Sequence, residues 1–142
     1  MRMATSTVLR NVGRILQAVS LMMVVSIVIA LVNLEFYAVP AFVISALVMG
    51  GVGTLSARRY RDAEPPGKLE AMVTAASSWA AVGVLGGLPF LLIAWTIAID
   101  PYPVWMNTPP MDATTAVFLR PLDAVFESTS GFTGTGLTMA AV

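Results

Sequence analysis

Neither cysteine nor histidine occurs among the 142 residues, which excludes disulfides, Cys/His metal sites, thiol nucleophiles and imidazole acid–base chemistry. Charge is scarce too: 11% of the residues are charged, against about a quarter in an ordinary soluble domain. The eight basic residues form no patch suited to nucleic acid. The lysine of a phosphate-cradling GxxxxGK[ST] loop is missing around Gly134-Thr-Gly136, so nucleotide binding and enzymatic chemistry are not expected, and no bound cofactor is. What is abundant is apolar: 57% of the chain is hydrophobic and its mean hydropathy is +0.81.

The apolar residues fall into three charge-free windows, residues 15–34, 36–57 and 71–99. Each reaches the ~18–20 residues that carry a helix across a bilayer core. A secretory signal has a shorter apolar core of about 7–15 residues, so the first window suits a span better. The windows predict helices over about 12–34, 40–56 and 69–99, with Pro40 placed in a first turn where no amide donor is needed. The third is longer than a ~30 Å core requires, and tilt, or a bend at Gly83, Gly86-Gly87 and Pro89, is expected to absorb the excess. Those glycines are read as sites of close helix packing rather than of ligand approach.

Polar connections set the topology. Arg2, Arg10 and Arg14 precede the first window, and Arg58, Arg59, Arg61 and Lys68 follow the second. By the positive-inside rule the N-terminus and the loop 58–68 lie in the cytoplasm of a multi-pass inner-membrane protein. The basic loop could equally meet anionic lipid or a regulatory partner, but orientation alone accounts for it. Residues 100–116, with four prolines and two acids, predict an exposed extracellular loop without continuous helix.

From Ala116 to Thr138 the sequence reads AVFLRPLDAVFESTSGFTGTGLT. Phe118, Leu122, Val125, Phe126 and Thr129 repeat at helical spacing, with Arg120, Asp123 and Glu127 on another face. Pro121 suits a helix start and Gly131 its end, so this helix enters a membrane only halfway. Thr133-Gly134-Thr135-Gly136-Leu137-Thr138 is too rich in glycine and β-branched residues to continue it. A half-helix followed by a Gly/Thr strand is a pore-loop arrangement: a glycine-containing strand can turn carbonyls toward an axis where a cation sheds its water, and the helix carboxyl end adds negative potential. The expected fold class is therefore an all-α membrane protein with three transmembrane helices, a re-entrant pore helix and an extended filter strand.

Asp123-Ala-Val-Phe-Glu-Ser-Thr-Ser-Gly-Phe-Thr-Gly-Thr-Gly-Leu-Thr138 resembles the first pore loop of the Trk/Ktr potassium transporter family, and Leu85-Gly-Gly-Leu-Pro-Phe90 resembles the helix before it. The resemblance implies a helix pair (1–57), a cytoplasmic loop (58–68) and a first pore repeat (69–142). It implies that Thr133, Gly134, Thr135, Gly136 and Leu137 frame the ion sites, with potassium, the transported species, met by the backbone carbonyls of Thr135 and Gly136. Gly134 stands where many members have a third threonine, which removes a hydroxyl and loosens the backbone. The implied partners are the lipid bilayer, the remaining pore repeats of the parent transporter, a cytosolic nucleotide-binding gating ring and a second copy in a homodimer.

Only Met139-Ala-Ala-Val142 follow the filter segment, so the chain is expected to be the N-terminal part of a four-repeat subunit and not to conduct alone. Arg120, Asp123 and Glu127 of the pore-helix segment are candidates for functional charges; the plainer reading leaves them solvated at the outer mouth, with Arg120 and Asp123 paired. The competing function is a small helical membrane protein with a structural or assembly role, whose Gly/Thr tail hangs free.

Overall fold

The computed structural model describes residues 4–99 and 104–140, and every element among them is helical. Arg2, residues 100–103 of the expected extracellular loop, and Ala141 and Val142 lie outside the described residues.

Three helices are long and apolar enough to cross a membrane: α1 (Thr5–Val32), α2 (Val39–Arg59) and a third span, Lys68–Ile99. At 1.5 Å per residue they reach about 42, 31 and 48 Å. Leu21, Val25, Leu47, Leu55 and Met72 are each more than half exposed, a surface that water would penalise and hydrocarbon would not. The chain is a multi-pass membrane protein by that criterion.

α1 and α2 form an antiparallel hairpin whose backbones touch at Gly13 and Gly53. A Cβ added at Gly53 would lie 2.6 Å from the Gly13 carbonyl oxygen, and one at Gly13 would lie 2.7 Å from the Gly53 carbonyl oxygen. Close packing of this kind is how membrane helices gain dispersion energy where lipid is as apolar as leucine. One turn on, the Gln17 amide donates to the Thr54 hydroxyl at 3.0 Å, and Ser20 faces Gly50. Leu16, Met23, Met49 and Val82 then form the buried core that joins this hairpin to the third span.

The first helix begins earlier than its charge pattern suggests, at Thr5 rather than near Val12, and takes in Arg10. Arg10 is buried because the connection after α2 satisfies it: its guanidinium donates to the carbonyls of Ala63 and of Glu64, the latter at 3.1 Å. The Thr7 hydroxyl donates to Glu64 as well, at 3.0 Å, and the Ala4 amide donates to the buried Glu70 carboxylate at 3.3 Å. The loop is correspondingly shorter than 58–68, since Arg58 and Arg59 complete the last turn of α2 and Lys68 opens the next helix. Replacing Arg10 by alanine removes donors from two carbonyls in this clamp. Tryptic cleavage at Arg61 in detergent should then accelerate about tenfold, with Arg10→Lys, which keeps charge but not the fork, in between.

The third span breaks where its glycines and proline predict. α3 (Lys68–Gly86) ends at Gly87, and α4 (Leu88–Ile99) restarts with Pro89 in its first turn, whose ring has no amide to offer and crowds the preceding carbonyls. Beyond α4 the expected loop is more ordered than its prolines suggest. A 3-10 turn (Val104–Met106) hydrogen-bonds across to the α1–α2 connection, Tyr37 amide to Met106 carbonyl at 3.2 Å. A short helix α5 (Ala113–Val117) is capped by Asp112, whose carboxylate accepts from the Thr115 amide at 2.6 Å. Hydrogen bonds from the Thr115 side chain and amide hold the Asp112 carboxyl below its usual range. Phe118 then packs on Phe90, ring centres 5.3 Å apart, and brings the chain back to α4.

Candidate functional site

The last element, α6 (Pro121–Thr133), starts as its sequence predicts, with Pro121 at the first helical position and Asp123 in the first turn. Asp123 pairs with Arg120 at 3.4 Å, as the plainer reading of these charges has it, but it is buried rather than solvated, because α6 packs its first turn against the rest of the chain. At 13 residues α6 is only about 20 Å long, too short for a hydrocarbon core of ~30 Å.

Glycines of the third span dock α6. A Cβ at Gly87 would sit 3.0 Å from the backbone C and O of Ala124 and from the Val125 amide nitrogen. One at Gly83 would sit 2.5 Å from the Thr129 hydroxyl, and one at Gly86 would meet Ser128 and the Phe132 ring. The break between α3 and α4 thus sits against the first half of α6, and packing is what these glycines do.

The helix ends one turn later than Gly131 suggested. Gly131 is inside α6; Gly134, at φ 67°, is the left-handed residue that closes it. The Gly134 amide donates to the Gly131 carbonyl at 3.3 Å and the Thr135 amide to the Ser130 carbonyl at 3.2 Å, the paired bonds of a Schellman motif. Phe132, lying on Gly86, draws the extra turn into the helix. Thr133 is therefore the last helical residue, its hydroxyl donating to the Thr129 carbonyl at 2.8 Å, and Gly134 is a cap.

No β-strand forms among the described residues, so the expected filter strand is replaced by an irregular segment, 134–139. It does not run on past α6. The Ser130 hydroxyl donates to the Leu137 carbonyl and lies 2.9 Å from the Thr135 hydroxyl, which must donate in return because Ser130 has a single hydroxyl hydrogen. One helical turn earlier, the Glu127 carboxylate accepts from the Thr138 hydroxyl, 3.0 Å from each oxygen, and from the Met139 amide at 2.9 Å. The chain therefore doubles back antiparallel to α6. Gly136, like Gly134, has a left-handed φ of 70°, so alternate residues interrupt the regular alternation of an extended strand. Residues 131–139 are exposed, and a Cβ on either glycine would meet nothing within 4 Å.

Of the residues singled out from sequence, Thr133 to Leu137 and Glu127 come together here, while Asp123 stays two turns away at the start of α6. Ser130 and Thr138 were missed. The available signal was a serine placed three residues after an acid at a helix end, just ahead of a Gly/Thr run.

No family model and no solved structure matches this chain. Over 138 residues it is 32% identical to the Trk system potassium uptake protein TrkH of Halomonas elongata, an alignment that covers 96% of this chain and 24% of that protein. The chain thus spans about a quarter of the length of the curated relative it matches.

Proposed function

We propose that this chain belongs to the Trk family and supplies one filter segment of a potassium transport subunit in the cytoplasmic membrane. The observation that carries the reading is the return of residues 134–139 along α6, held by Ser130 and Glu127, with left-handed glycines at 134 and 136. Backbone outside regular structure is tolerated at membrane depth only where protein buries it or where it lines a watery cavity. A half-helix with its carboxyl end beside such a segment offers a cation both negative potential and carbonyl oxygens. Thr133, Gly134, Thr135, Gly136 and Leu137 frame the ion sites in this reading, and the carbonyls of Thr135 and Gly136 contact the ion. A ring of such segments is needed to surround an ion, so the other filter segments come from the rest of a longer subunit, and residues 69–142 are its first pore repeat.

Arg58, Arg59, Arg61 and Lys68 support, by the positive-inside rule, a cytoplasmic side for the loop after α2 and with it for the N-terminus. The absence of native cysteine makes that directly measurable by labelling single cysteines introduced at Asp62 and Met111 in intact cells. A cytosolic nucleotide-binding ring and a homodimer are the partners this family reading brings with it.

The test is potassium uptake in a transport-deficient bacterium, comparing this chain with the full product of its gene, each with and without Gly136→Ser. Uptake restored by the full product and lost in the variant supports the assignment. No uptake from a full product that is demonstrably membrane-inserted refutes it and favours a structural role for the chain.

A further inference from the structure

We propose that Glu127 is the positioning residue of the filter segment: its carboxylate fixes the outgoing end, and discrimination between potassium and sodium depends on that hold. The inference rests on the proposed function.

The return segment is tied to α6 at two points. Ser130 holds its middle through Thr135 and Leu137, and Glu127 holds its end through Thr138 and Met139. The two side chains are three residues apart and so share one helix face. Packing contributes little between these ties, because the segment is exposed and its glycines face open space. Its shape is therefore set by hydrogen bonds, and those accepted by a carboxylate are about twice as strong as neutral ones.

The surroundings of half-buried Glu127 favour the tie. Glu127 borders a cleft of about 490 Å³ between α1, α2, α4 and α6, lined by Met22, Met23, Phe42, Phe90 and Phe132. A carboxylate beside such an apolar wall is stabilised by donors, and the Thr138 hydroxyl and Met139 amide supply them. The ion-contacting carbonyls of Thr135 and Gly136 lie between the Schellman closure at Gly134 and this tie. Whether selectivity comes from cavity size or from the number and field of the carbonyl dipoles, releasing the outgoing end alters it.

Potassium and sodium uptake by the full gene product would be measured for Gly136→Ser, Glu127→Gln, Thr138→Val and Thr138→Ser, normalised to protein in the membrane. Losing a charge-assisted tie should lower the potassium-to-sodium ratio about tenfold in Glu127→Gln and Thr138→Val. Thr138→Ser, which keeps the hydroxyl, should retain the ratio, an outcome that a merely bulky or stabilising role for Thr138 does not predict. An unchanged ratio in both Glu127→Gln and Thr138→Val, with uptake lost in Gly136→Ser, overturns the role of Glu127 and leaves the filter standing. Unchanged uptake in Gly136→Ser overturns the filter and this inference with it. If Glu127→Gln fails to insert, the Thr138 pair decides.

Discussion

Gly53→Val should split the α1–α2 hairpin. The first atom of any side chain at Gly53 would stand 2.6 Å from the Gly13 carbonyl oxygen and 3.0 Å from the Gln17 amide nitrogen. Both obstacles are helical backbone, which cannot rotate out of the way as a side chain can. The helices must separate, and separation forfeits the dispersion contacts that hold them, since no hydrophobic drive toward association exists in lipid. Overpacking typically costs about 1–3 kcal/mol, and obstruction by backbone puts valine here at the upper end.

The readout is local. A Cβ at Gly50 would lie 3.4 Å from the Ser20 Cβ, close to the ~3.8 Å typical of disulfides, so the double variant Ser20→Cys/Gly50→Cys should oxidise readily. Adding Gly53→Val should lower that yield several-fold. Gly51→Ala is the control, because nothing lies within 4 Å of a Cβ there, and helix propensity alone predicts a gain of up to about 1 kcal/mol. An equal loss of cross-linking from both would mean that the crossing is not where the backbones meet.

What sequence could and could not convey follows from the range of each determinant. The three spans were readable because absence of charge over some twenty residues is a local property, and so was the break before Pro89, which a ring without an amide imposes on its own helix. Arg10 misled because its burial depends on the carbonyls of Ala63 and Glu64, more than fifty residues away. Gly131 and Gly134 are both competent to end α6, and the choice between them is made by Phe132 on Gly86, a contact with another helix. Residues 133–137 were singled out from composition and resemblance, yet their path was not legible. Glu127 and Ser130 acquire partners only once the chain has turned, and the turn is what the left-handed glycines permit.

Gly87→Val should undock α6 and with it everything the return segment is built on. The three docking glycines differ in what opposes a side chain. At Gly83 the nearest atom is the Thr129 hydroxyl, and at Gly86 it is the Ser128 hydroxyl with the edge of Phe132, all of which can swing aside. At Gly87 the neighbours are the carbonyl carbon and oxygen of Ala124 and the nitrogen of Val125, each 3.0 Å from the first added atom. Ala124 is 1% exposed, so no space lies behind it. Alanine at this position forces a shift of a few tenths of an ångström; the two further methyls of valine force α6 off the break between α3 and α4, at about 3 kcal/mol by overpacking. A cross-link reports it directly: a Cβ at Gly83 would be 3.5 Å from the Thr129 Cβ, so Gly83→Cys/Thr129→Cys should close a disulfide, and Gly87→Val should suppress it. On the proposed function, the same substitution in the full gene product should abolish potassium uptake while leaving the Ser20/Gly50 cross-link intact, because the α1–α2 crossing shares no residue with the α6 dock. Loss of both cross-links together would mean that the hairpin and the docked half-helix are one cooperative unit, and the case for an independently placed filter support would fail.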